Sequence, residues 1–246
     1  MLGELDLPGR IALVTGASGG IGGAICRRLA REVAGIALAY GNSAEPAEAL
    51  AAEIISGGGN ARAFSSDMAD PGAPERLIDD VETALGPVDI LIANHGLARP
   101  ARYEDTDAAT FDHTLAVNLR APFLLARRTL PGMRERGFGR VLFISSVAAF
   151  RGGGISPDYA ASKAGLHGLA HFLASRVAAA GVTVNVIAPG LVETAMLPGD
   201  PQQLGKSTPV GRVGRPEEVA DLAHAILRNG FITSQVFSID GGTYPR

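Results

Sequence analysis

The chain has 246 residues, 46% hydrophobic and 19% charged, a globular composition that can bury a sizeable core. Its formal net charge of −3 gives no general attraction for nucleic acid. The lone cysteine, Cys26, rules out an intrachain disulfide and points to a reducing, cytoplasmic setting. No apolar run approaches the roughly 18 residues of a membrane span, and the opening MLGELDLPGRIALVTG lacks the regions of a signal peptide.

Residues 10–15 (RIALVT) are a short apolar run ending in a glycine loop, the pattern of a buried strand. Residues 20–33 have helical spacing at Ile21, Ile25 and Leu29. A second strand is expected at 36–40, a helix at 44–56 stopped by Gly57-Gly58-Gly59, and a third strand at 61–65. A helix over 71–85 leads to a fourth strand at 88–93 (VDILIA). A long helix is expected over 110–136, interrupted near Pro122, then a fifth strand at 140–145. A second long helix at 157–180 precedes a sixth strand at 182–188. Proline opens a helix at 216–228, and 235–239 is the last strand. Strands alternating with helices imply a parallel sheet covered on both faces. No repeat, low-complexity tract or linker divides the chain, so residues 1–246 are expected to form one domain. The irregular stretch 190–214 suits a lid.

Thr15-Gly16-Ala17-Ser18-Gly19-Gly20-Ile21-Gly22 follows the first strand and opens the first helix. Glycines there permit a tight turn and let backbone N–H groups reach a pyrophosphate at the positive helix end. Gly16, Ser18, Gly20, Ile21 and Gly22 are therefore candidate cofactor contacts. Dinucleotide sites often place an acid about 20 residues on, for the ribose hydroxyls of NAD. Here Ala39-Tyr40-Gly41-Asn42-Ser43 carries none before Glu45. That removes a repulsion against the extra phosphate of NADP, to which Asn42 and Ser43 could donate. The same pair also suits a cap for the next helix, and the two readings are compatible.

Of the 22 Lys+Arg residues only Lys163 and Lys206 are lysine. Lys163 stands four residues after Tyr159, so a helix sets phenol and ammonium on one face. A nearby cation lowers a phenol's pKa from about 10 and makes it a candidate general acid or base.

With these residues in place, the chain resembles the short-chain dehydrogenase/reductase family over essentially its whole length. TGASGGIG matches the family's TGxxxGxG, and Ala93-Asn94-His95-Gly96 is an altered form of its NNAG. Asn118 falls in the family's VNL segment, Ser146 stands thirteen residues before Tyr159, and Pro189-Gly190 with Thr194 matches its PG-x-x-x-T. The resemblance implies a doubly wound Rossmann-like α/β fold with a parallel seven-stranded sheet in the order 3-2-1-4-5-6-7. It implies that Tyr159 gives a proton to a carbonyl oxygen and Ser146 hydrogen-bonds that oxygen. Lys163 would hold the nicotinamide ribose and depress the tyrosine pKa, and Asn118 would order a relay water. Asp67 and Met68 would contact the adenine side, Asn94, Gly96, Pro189 and Gly190 would line the cofactor, and Thr194 would hold the carboxamide.

VGRPEEVA at 213–220 and SIDGG at 238–242 resemble the bacterial β-ketoacyl-acyl-carrier-protein reductase branch. The implied reaction is NADPH-dependent reduction of a β-ketoacyl thioester on acyl carrier protein or coenzyme A, with NADH as the alternative cofactor. The rivals are an oxidoreductase for another small or polyketide-like carbonyl and a catalytically silent dinucleotide sensor. The family also implies a homotetramer built on the helices 110–136 and 157–180. The chain departs from the family at Gly19, where NADPH-dependent members often carry Arg or Lys, and at His95, where the family usually has alanine.

Other signals have bland readings. His95 suits a packed histidine satisfied by backbone. His167 and His171 are four apart but lack an acidic base and a third ligand, so no metal site is expected. Leu204-Gly205-Lys206-Ser207 lacks the earlier glycine and the strand of a phosphate-binding Walker loop. Arg127, Arg128, Arg134, Arg136 and Arg140 form either a solvated helix face or a dock for an acidic carrier protein. Residues 151–157 and 195–210, which border the substrate, carry no readable chemistry.

Overall fold

A parallel strand is buried on both faces, which is why short runs of Ile, Leu, Val and Ala become strands here. In the computed structural model, which describes residues 7–197 and 199–244, they are β1 (Ile11–Thr15), β2 (Gly35–Tyr40), β3 (Ala61–Ser65), β4 (Val88–Ala93), β5 (Gly139–Ile144), β6 (Val182–Pro189) and β7 (Val236–Ile239). The helices are α1 (Gly20–Leu29), α2 (Ala44–Ser56), α3 (Ala73–Leu85), α4 (Ala108–Leu115), α5 (Ala121–Glu135), α6 (Ala148–Arg151), α7 (Pro157–Val177), α8 (Pro201–Gly205) and α9 (Pro216–Arg228). The seven strands form one parallel sheet in the order β3-β2-β1-β4-β5-β6-β7. This is the expected doubly wound Rossmann-like fold.

Side chains alternate across each strand, so the sheet separates two apolar layers. Ala12 and Val14 of β1 pack with Ile25 and Leu29 of α1, Leu50 and Ile54 of α2, and Val219 and Ala223 of α9. Ile11 and Leu13 pack on the other side with Ile78 of α3, Leu125 of α5, and Leu166 and Ala170 of α7. Strand order reverses between β1 and β4, which opens a crevice at their carboxyl ends.

Several boundaries differ from the sequence reading. The first helix stops at Leu29 rather than at 33, and the helix expected from 71 begins at Ala73. The long helix over 110–136 starts earlier, at Ala108, where the Asp107 carboxylate caps it by accepting the Thr110 N–H at 2.8 Å. Its interruption is a π-helical turn over Ala116–Arg120, not a break at Pro122. Pro122 sits in the first turn of α5, where a missing N–H costs little. The helix expected to 180 gives way after Val177 to a 3-10 turn, and Gly181 ends it with φ of 76°. α6 and α8 have four and five residues, too few for periodicity to reveal them. The expected lid over 190–214 holds α8 and a parallel bridge between Val192 and Gly214, with Pro198 outside the described residues. Residues 1–6, 245 and 246 of the expected domain also lie outside them.

Candidate active site

The crevice begins with the glycine loop between β1 and α1. Gly16 has φ of 64°, a conformation that L side chains rarely adopt. A Cβ on Gly22 would overlap the Gly16 carbonyl oxygen and lie 2.7 Å from the Asn94 amide nitrogen. Gly19 takes the N-cap position of α1 and supplies no side-chain cap. The first N–H groups of α1 therefore face the crevice without a side-chain acceptor, and the bare backbone leaves room for a phosphate. Ser18, Gly20 and Ile21 stand in the same loop, and a Cβ on Gly20 would lie 2.9 Å from Thr194 Cγ2, so the arm after β6 packs over the helix start. These residues fit the pyrophosphate of a dinucleotide.

The segment after β4 clamps this loop. The Asn94 amide donates to the carbonyls of Thr15 and Gly16, both at 3.1 Å. His95 joins Thr15 to the π turn: Nδ1 is 2.6 Å from Thr15 Oγ1 and Nε2 is 3.0 Å from the Val117 carbonyl. A carbonyl only accepts, so Nε2 carries the proton and Nδ1 accepts from the threonine. Burial and then the charge of Lys163 push the His95 pKa down to about 4, so the ring is neutral at neutral pH. It is the packed, satisfied histidine of the bland reading.

Asn118 is fully buried in the π turn. Its Oδ1 accepts the Leu97 N–H at 2.9 Å, and its Nδ2 donates to the Leu97 carbonyl at 2.9 Å and to Ser162 Oγ at 3.1 Å. The side chain thus pins the backbone beside Gly96. A π turn inside a helix often marks a functional site, and here it aims the amide sideways at the loop.

Tyr159 and Lys163 lie on the first two turns of α7, both buried. Lys163 Nζ donates to the Ile144 carbonyl at 2.9 Å and lies 5.9 Å from the Tyr159 ring centroid. Burial lowers the Lys163 pKa to about 8. Burial also raises the Tyr159 pKa, an effect that a contact with the Ser146 side chain partly opposes. Burial of the phenol thus acts against the depression that the resemblance assigns to Lys163. Desolvation outweighs the Ser146 contact, and the phenol stays protonated at neutral pH. Ser146 Oγ accepts the Ala148 N–H at 3.1 Å, which turns its hydroxyl toward the start of α6.

The remaining candidates line the same carboxyl edge. Asn42 and Ser43 are exposed after β2; Ser43 is the N-cap of α2 but makes no side-chain cap bond, so its hydroxyl stays available. Asp67 accepts the Ala69 N–H at 3.0 Å, and the Ala69 carbonyl accepts from Arg120 of the π turn at 2.7 Å. Met68 is buried beside them. The Pro189 carbonyl accepts the Val147 N–H at 3.0 Å, and the Gly190 N–H donates to the Ile239 carbonyl at 2.9 Å. Thr194 Oγ1 accepts the Met196 N–H at 3.3 Å.

The arginine cluster is not part of this edge. Arg136 binds the Asp89 carboxylate at 3.0 Å and the Val88 carbonyl at 2.9 Å, at the opposite, amino end of β4. Arg140 is buried in β5, donating to the carbonyls of Leu227, Gly139 and Gly181. Arg127 pairs with Glu75, and Arg128 with Asp79 and Glu82. Arg134 is exposed on the last turn of α5, so of the expected cluster Arg127, Arg128, Arg136 and Arg140 are engaged within the chain. Thr15, Ser145 and Ser162 are polar members of the site that the sequence reading passed over. The signal was a hydroxyl ending an apolar strand, once before Gly16 and once in the Ser145-Ser146 doublet.

Comparison with known proteins matches residues 10–204 to the short chain dehydrogenase family. The chain belongs to that family. It is accordingly an NAD(P)-dependent oxidoreductase acting on a CH–OH/C=O group. This dehydrogenase is 38% identical over 242 residues to an acetoacetyl-CoA reductase of Rhizobium meliloti, covering 96% of this chain and 98% of that one. It is 33% identical over 246 residues to the 3-oxoacyl-[acyl-carrier-protein] reductase of Escherichia coli, covering 98% and 99%. A 3-oxoacyl (acyl-carrier-protein) reductase structure from Agrobacterium tumefaciens with NADP bound superposes with a TM-score of 0.91 at 34% identity, over 97% of this chain and 96% of that one.

Proposed function

We propose that this short-chain dehydrogenase reduces a β-ketoacyl thioester, on coenzyme A or acyl carrier protein, with NADPH. The observation that carries the reading is one cluster: a buried phenol, its serine neighbour and a buried lysine, beside an uncapped glycine-rich helix start. The relatives named for acetoacetyl-CoA and 3-oxoacyl-carrier substrates, all matched along nearly their full length, support the thioester. The absence of a carboxylate over residues 39–43, and the free Ser43 hydroxyl, support NADPH over NADH.

A bound nicotinamide would supply the hydride. The residues of the chain do the rest. Gly16, Ser18, Gly20, Ile21 and Gly22 hold the pyrophosphate, Asn42 and Ser43 the ribose phosphate, and Asp67 and Met68 the adenine side. Asn94, Gly96, Pro189, Gly190 and Thr194 line the remainder. Tyr159 Oη delivers its proton to the carbonyl oxygen, and Ser146 Oγ hydrogen-bonds that oxygen as charge develops. Lys163 holds the ribose and restores the phenol's proton from Nζ. Asn118 fixes the loop on which Gly96 stands. Chemically, a ketone takes up hydride at carbon and the phenolic proton at oxygen, giving the alcohol.

The assembly in this reading is a homotetramer. Its support is a groove of about 620 Å³ lined by Leu115, Leu119, Phe123 and Leu169 of α4, the π turn, α5 and α7, with Phe123 exposed. A cytoplasmic location rests on the lone cysteine. Among the described residues no helix is long and apolar enough to cross a membrane.

Initial rates of NADPH and NADH oxidation with acetoacetyl thioesters and with small ketones test the proposal. Thioester reduction with NADPH as the better cofactor is expected. Inert thioesters beside an active unrelated ketone would move the function to another carbonyl, and silence toward every carbonyl would favour the sensor.

A further inference from the structure

His167 stands on α7 one turn beyond Lys163 and takes no part in the chemistry above. Its Nε2 lies 2.9 Å from Ser145 Oγ, and that hydroxyl donates to the Lys163 carbonyl at 2.9 Å. The Ser145 proton is thereby used, so the imidazole donates from Nε2. The preceding residue, Ile144, accepts from Lys163 Nζ at 2.9 Å. Two consecutive residues at the end of β5 thus grip Lys163, one by its ammonium and one by its backbone.

The imidazole makes an aromatic contact as well. Its ring packs against Phe150 of α6, with centroids 4.9 Å apart, and Phe150 stacks on Tyr244 near the C-terminus at 5.4 Å. Ser146 lies between Ser145 and Phe150, both of which His167 touches. One side chain therefore braces the segment carrying the serine against the helix carrying the tyrosine and lysine.

We infer that His167 is a positioning residue for the reduction: through Ser145 it sets the placement of Lys163 and Ser146 relative to Tyr159. The ring touches no reacting atom, so its effect falls on the hydride-and-proton step and not on substrate capture.

The test uses the full-length protein and whichever carbonyl the wild type reduces, so it stands apart from the identity of the substrate. Single-turnover NADPH oxidation, substrate KM, NADPH binding and thermal midpoint are measured for His167→Leu, His167→Gln, Ser145→Ala and the Ser145→Ala/His167→Leu double variant. His167→Leu is expected to slow the single-turnover rate by about tenfold, with KM and NADPH binding changed less than about threefold. Glutamine, whose amide can donate to Ser145, is expected to recover most of the loss. The double variant should be no slower than the slower single variant, because both changes break one linkage. Ser145→Ala carries the test if the leucine variant does not fold. Wild-type rates in the single variants, losses that multiply in the double, or a glutamine no better than leucine would overturn the inference.

Discussion

Burial acts on Tyr159 and Lys163 in opposite directions, raising the acidic group and lowering the basic one. Each shift favours the neutral form, and together they leave a protonated phenol backed by a lysine that titrates near 8. Reduction consumes a proton, which the lysine can supply only as ammonium, the form present below its pKa. In the reductive direction kcat/KM, which reports free-enzyme groups, should therefore be flat toward neutral pH and fall above about 8. The oxidative direction should rise over the same range. A reductive limb already falling below pH 7, where about 7 is where a strongly depressed phenol would titrate, would contradict this assignment. The glycine loop makes a second residue-scale prediction. Gly22→Ala forces a Cβ against the Gly16 carbonyl and should cost about 1–3 kcal/mol of stability together with most NADPH binding. Gly168→Ala, exposed on α7 with nothing within 4 Å, is the control and should bind NADPH normally in the same titration. The reacting side chains were legible as letters at fixed spacing. Their electrostatics were not, because a pKa depends on burial, and neither the 2.6 Å contact of His95 with Thr15 nor the link from His167 to Ser145 leaves any trace in spacing.

At the scale of elements, the apolar runs marked all seven strands because parallel strands are buried on both faces. The π turn escaped notice because AVNLR has the composition of ordinary helix, with no proline or glycine to mark the change. Its consequence is local and measurable. Asn118→Ala would leave the N–H and C=O of Leu97 without their partner in a half-buried setting, at up to about 1–3 kcal/mol for each unpaired group. Urea unfolding should show the loss, and turnover should fall with it because the Gly96 backbone is released. Asn118→Asp keeps an acceptor for the Leu97 N–H but sets a second oxygen against the Leu97 carbonyl, so it should not rescue. Unchanged stability in both variants would mean that the turn holds the loop without the amide.

Across the whole molecule, the parallel topology gathers every carboxyl-end loop at one edge, which is how residues from 15 to 194 come together. The same topology sends Arg136 and Arg140 to the other end. Helix spacing grouped these arginines correctly in sequence but carried no information about which end of the sheet they would meet, or that Asp89 would neutralise Arg136. The proposed assembly is tested by charge placed in the apolar groove. Phe123→Glu with Leu169→Glu should lower the mass measured by light scattering from that of a tetramer, and an unchanged mass would mean that the groove is not the interface. The central claim is that Tyr159 moves the proton to the carbonyl oxygen from a site that binds cofactor independently. The most direct measurement is single-turnover oxidation of prebound NADPH by acetoacetyl-CoA in the wild type and in Tyr159→Phe, with NADPH affinity measured on the same samples. The account predicts a loss of about 10²–10⁴-fold in rate with NADPH affinity retained; a Tyr159→Phe variant that oxidises NADPH at the wild-type rate would contradict it.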